Sequence, residues 1–103
     1  MNGVRIIERS WLARVARRNL RVKRVAMVLG GTIHLSGATR EEFLQSDAWV
    51  AHELAHLEQF RRYGIVRFVM LYLLESARHG YHHNRFEVAA RQAERVASSA
   101  KER

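Results

Sequence analysis

The stretch DAWVAHELAHLEQFRRYG, residues 47–64, reads as one helix that ends at its glycine. His52 and His56 stand four positions apart in it. Side chains at that spacing leave one helical face about a turn apart, so both rings can reach a single ion. Glu53 is turned from them by about 100° around the axis, beside that ion and not on it, where it can take a proton from water. Trp49, Gln59, Phe60 and Tyr63 share the histidine face, while Asp47, Glu58, Arg61 and Arg62 gather away from it. Histidines on a face that packs among aromatic rings need polar partners, and a metal supplies one. The chain has no cysteine, so the ion must be held by imidazole and carboxylate. Zinc suits that donor set and acidifies bound water. The competing reading is an ordinary amphipathic helix in which the two histidines arise by chance.

Working outward, residues 65 to about 78 form a second helix that stops near Gly80. A third helix starts after Asn84, with Phe86, Ala89, Ala90, Ala93 and Ala97 at helical spacing. Upstream, Val22 to Leu29 and Thr32 to Leu35 are rich in β-branched residues and flank Gly30-Gly31, a hairpin signal. Ser10 to Asn19 predicts a short basic helix capped by Ser10, with Trp11, Val15 and Leu20 on one side. Strands first and helices after imply an α+β fold, one domain over all 103 residues. Proline is absent, so helix ends fall to glycine and capping residues.

Two histidines and a water leave one protein ligand of a zinc site to be found. Glu75, His79, His82, His83 and Glu87 are the downstream candidates. Glu87 falls in the first turn of the third helix, on the edge of its apolar face, and can point inward. The same residue also completes a capping box with Asn84, in which it would bond back to the Asn84 amide. A capping glutamate normally sits exposed, which favours the ligand role. Tyr81, His82 and His83 are candidates to stabilise the oxyanion of a hydrated carbonyl.

The His52-Glu53-x-x-His56 pair with a downstream glutamate resembles the gluzincin branch of zinc metallopeptidases. Val50 to Tyr63, followed by Tyr72, Glu75, Gly80-Tyr81 and Asn84 to Arg91, is similar to small bacterial zincin-like domain proteins. Those proteins carry a histidine-glutamate helix ending in a Gln-aromatic-basic-basic segment, then an Asn-x-x-Glu-x-x-Ala helix start. The resemblance implies a minimal zincin-like fold, with His52, His56 and Glu87 as zinc ligands and Glu53 as general base and acid. It also implies that Thr32 to Leu35 is the strand beside the cleft, able to pair with an extended substrate. Two departures stand out. Where many gluzincins place an acidic residue that orients a zinc histidine, this helix offers Arg91 and then Glu94, leaving the histidines' partners unassigned. No stretch corresponds to the second subdomain that closes the cleft in larger members.

A net charge of +8 invites a nucleic-acid reading, but the arginines are scattered and no nucleic-acid signature accompanies them. The densest group, Arg14, Arg17, Arg18, Arg21, Lys23 and Arg24, fits a solvated helix face. The 65–78 helix is apolar around nearly its whole circumference, which points to burial, a homodimer or a membrane-surface contact. Its apolar run, Ile65 to Leu74, is broken by Arg67 and is about half the length of a bilayer span. Met1 to Leu20 is broken up by charge and lacks a signal-peptide core, so a cytoplasmic protein is expected. The function these readings predict is zinc-dependent hydrolysis of a peptide or related amide in a peptide or protein substrate. Its rival is a non-catalytic, zinc-stabilised module that binds an acidic partner.

Overall fold

The computed structural model describes residues 4–102, with side chains over 4–100. Its elements are β1 (Arg5–Ile7), α1 (Trp11–Leu20), β2 (Val25–Leu29), β3 (Thr32–Ser36), α2 (Arg40–Leu44), α3 (Asp47–Tyr63), α4 (Ile65–His83) and α5 (Arg85–Glu102). The fold is α+β, as the order of patterns predicts. The sheet runs β1-β3-β2, with β1 parallel and β2 antiparallel to the central strand.

Alternation along β3 sorts its side chains between two layers. Ile33 and Leu35 enter a core with Phe43, and all three are fully excluded from solvent. Ala26, Val28, Trp49, Val50 and Leu57 pack against this cluster, joining the sheet to α3. His34 and Ser36 alternate with Ile33 and Leu35 and meet α1: His34 Nδ1 lies 2.8 Å from Ser10 Oγ, and Arg17 Nε donates to Ser36 Oγ at 3.1 Å. Ser10 caps α1, as its sequence predicts, accepting from the Ala13 amide.

The hairpin forms about Gly30-Gly31, but β2 starts at Val25 and not at Val22, because its partner β3 ends at Ser36, opposite Val25. Two elements go beyond the expectation. β1 has three residues and pairs with a strand far along the chain, which leaves no local signal. α2 has five residues, too few for a period, although its Thr39–Glu42 capping box is written in the sequence and both of its hydrogen bonds form.

A second cluster joins the helices. Phe68 lies 4.5 Å from Phe60 and 4.9 Å from Phe86, ring centre to ring centre and edge to face, with Tyr63 and Tyr72 around them. Two corners deliver α4 to this cluster. Gly64 (φ 82°, ψ 162°) turns α3 into α4, and Gly80 (φ 79°, ψ 167°) kinks α4 before its last turn. That backbone region is essentially closed to other residues. The expected stop near Gly80 is therefore a kink, after which Tyr81 to His83 resume the helix. α4 buries Phe68 and leaves Val66, Met70 and Leu73 exposed. Among the described residues no helix is long and apolar enough to cross a membrane.

Candidate metal centre

α3 presents His52 and His56 to α5, and Glu87 in the first turn of α5 reaches back between them. Glu87 Oε1 lies 3.2 Å from Nε2 of each histidine. One ligand atom from each of the three residues falls within 4.8 Å of the others. Tetrahedral zinc with bonds of 2.0–2.1 Å sets its ligands about 3.3 Å apart, so these nitrogen–oxygen separations fit one ion. The donor set of two imidazoles and a carboxylate fits as well.

The far side of each ring is fixed. His52 Nδ1 is 2.6 Å from Glu94 Oε1, and His56 Nδ1 is 2.9 Å from Gln59 Oε1. Both Nδ1 atoms meet acceptors, so each Nδ1 carries a proton and each Nε2 turns to Glu87. The Gln59 amide is itself anchored, donating to the Phe86 carbonyl at 3.1 Å. Tyr72 on α4 donates its hydroxyl to Glu87 Oε2.

The capping-box alternative for Glu87 is not realised. Asn84 caps α5 alone, its Oδ1 accepting from the Phe86 amide at 2.9 Å. Its Nδ2 donates to the Tyr72 carbonyl at 3.0 Å and to Ser76 Oγ at 2.9 Å. The Asn84 side chain, wholly buried, thus locks the α4–α5 corner and leaves the Glu87 carboxylate free to face the histidines. The other third-ligand candidates lie elsewhere: Glu75 accepts from the Arg85 amide, and His79, His82 and His83 are exposed.

Burial opposes the charge on Glu87, but hydrogen bonds from His52, His56 and Tyr72 outweigh it and hold the carboxyl well below the usual range. Burial likewise opposes charging the two imidazoles, and the Glu87 carboxylate overrides it, so both are raised. Glu53 behaves in the opposite way. Its carboxyl is 4% exposed, and burial pushes it up to about 7 against the pull of His56 and His52.

The cluster opens on a cavity of about 720 Å³ between β2, α3 and α4. Of the three oxyanion candidates only Tyr81 lines it, carried there by the turn after the Gly80 kink; burial and the nearby Glu87 and Glu53 raise its phenol to about 12. His82 and His83 pack on each other outside the cavity. The strand expected beside the cleft must also be corrected. Thr32 to Leu35 belongs to β3, which is paired on both sides, whereas β2 lines the cavity and is an edge strand.

Glu94, Gln59 and Tyr72 are site residues to which sequence reasoning gave no role at the metal. Gln59 follows His56 by three positions and Glu94 follows Glu87 by seven, spacings that keep each pair on one helical face. Tyr72 has no such signal, because it comes from a different helix.

Residues 2–64 match the family model described as the eCIS core domain, 63 of the 103 residues. No curated protein and no solved structure matches the chain. The matched segment contains His52, Glu53 and His56 and stops at Gly64, before the helices that carry Tyr72, Glu87 and Glu94. With more than half of its length on that model, the chain belongs to the eCIS core domain family.

Proposed function

We propose that this protein is a zinc-dependent hydrolase of peptide or related amide bonds, of gluzincin type, with His52, His56 and Glu87 as ligands. The observation that carries this reading is the convergence of those three side chains beside the buried Glu53, at the wall of a large cavity. Bound there, zinc would supply a Lewis acid that polarises a carbonyl and acidifies water.

The chain's own residues divide the remaining work. Glu53, whose carboxyl is biased by burial to share a proton near neutrality, takes a proton from the attacking water and returns it to the leaving amine. Tyr81 keeps its hydroxyl proton and lines the cavity, where it can donate to the developing oxyanion. Glu94 and Gln59 hold the two imidazoles in one tautomer and orientation. The edge strand β2 offers backbone groups to an extended substrate. A zinc-stabilised module without catalysis is favoured by one observation, that the cluster ties α5 to α3. Such a module has no need of the cavity or of a buried, non-coordinating glutamate.

Purified protein is expected to carry about one zinc per chain, as a single site of this type requires, and His56→Ala should abolish it. Glu53→Gln should retain the zinc and lose hydrolysis of peptides that the native protein cuts. Elemental analysis that finds no metal after zinc is supplied removes the reading. Full activity in Glu53→Gln removes Glu53 as the base.

A further inference from the structure

α3 and β2 run side by side along the cavity, and the chemistry of the cavity changes from one end to the other. Arg24, directly before β2, holds its guanidinium 5.0 Å above the Trp49 ring in the first turns of α3. Trp49 is itself braced edge to face on the fully buried Phe43 at 5.1 Å. At the other end of β2, Val28 packs on the Phe60–Phe68–Phe86 cluster, and the Gly30 backbone approaches Ile65. Phe60, Phe68, Val69 and Leu73 line that end of the cavity, and the paired histidines lie between the two ends.

Among the described residues that line this cavity, Arg24 is the only arginine or lysine. The cavity's acids are otherwise engaged: Glu87 and Glu94 face the histidines, and Glu53 is buried. Glu42 feels the Arg24 charge from outside the cavity, but its carboxylate is committed to the Thr39 cap. A guanidinium stacked on a fixed indole loses little freedom when it binds, and its planar donors match a carboxylate.

We infer that the cleft selects an extended peptide segment with a carboxylate side chain at the Arg24–Trp49 end and a bulky apolar side chain at the Phe60–Phe68–Leu73 end. This deepens the hydrolase reading, in that it treats the cavity as the substrate groove. The spacing follows from the two rises. From Trp49 to the midpoint of the histidine pair α3 advances about 7–8 Å, which an extended peptide covers in about two residues. The acidic residue therefore sits about two positions from the bond at the metal, and the apolar residue lies across that bond.

The test measures binding and cutting separately in the same samples. Short acetylated peptides with a fixed leucine, and with glutamate or lysine scanned through the remaining positions, are titrated into the zinc-supplemented protein. The glutamate peptide of correct spacing should bind about tenfold more tightly than its lysine twin, as expected for one charge-assisted contact. Arg24→Gln should level the pair and Arg24→Glu should invert it. Arg95→Glu, an equal change in net charge on exposed α5 outside the cavity, should leave the preference intact. The inference is overturned by a native protein that binds neither peptide, or both alike. It is equally overturned by a preference that survives in Arg24→Glu, once thermal melts show that variant to be folded. Peptides bound with the expected preference but never cut would instead count against the hydrolase reading, and peptides cut without preference would count against the inference alone.

Discussion

On the face of β3 that meets α3 the core is closed by apolar side chains: Ile33, Leu35 and Phe43 have no exposed surface. Around α5 the packing has a second component. The cluster of Phe60, Phe68 and Phe86 continues into Tyr72, Glu87, the two histidines, Gln59 and Glu94, a run of polar contacts joining α3, α4 and α5. The sheet side can close without the chemistry of the site, because alternation along the strands already sorts its residues. The helical side closes through that chemistry. Docking α5 on α3 is therefore also what brings His52, His56 and Glu87 together.

The largest expected effect lies on the sheet side. Phe43→Ala should cost about 3–5 kcal/mol, and denaturant melts should show the same loss with zinc and with chelator. A loss that vanished when zinc was added would mean that the sheet core also depends on the site.

Next comes Glu53, measured in chelated protein. Its carboxyl is raised in the folded state to about 7, so folding favours the protonated form. The native protein should accordingly lose stability relative to Glu53→Gln as pH rises from about 4.5 to about 7, and the gap should be constant above that. The full gap is on the order of 3 kcal/mol by linkage. The histidines and Glu87 titrate in both proteins, so the difference between the two curves reports Glu53 together with its charge coupling to His52, His56 and Glu87. A gap that shrinks with rising pH would overturn the assignment.

The smallest effect sharpens the account of the helical side. Glu94→Gln keeps an acceptor near His52 but removes its charge, and zinc affinity should fall about 10–100-fold, read by competition with a chelator. The α5 amides should exchange faster in the same variant. Unchanged affinity would leave His52 oriented by something other than Glu94.

The legible parts of the fold were those with local patterns. The end of α3 follows from its period and Gly64, and the hairpin follows from the Gly30-Gly31 pair. β1 was hidden because three residues carry no alternation and its partner lies far along the chain. The same non-local pairing makes β3 central and leaves β2 as an edge strand, which the hairpin alone cannot reveal. His52, Glu53 and His56 were legible as one helical face. Glu87 carried two meanings, and Asn84 separates them by capping α5 without its help. The Tyr72–Glu87 contact depends on how α4 crosses α5 and could not be read from either segment.

The corners at Gly64 and Gly80 carry a further consequence. Each has the backbone angles essentially reserved for glycine, yet a Cβ built there would meet nothing within 4 Å. What excludes other side chains is therefore handedness and not crowding. These angles strain an L-residue and suit its mirror image. The orientation of α4, and with it the approach of Tyr72 and Tyr81 to Glu87, rests on two points where the chain is required only to lack chirality.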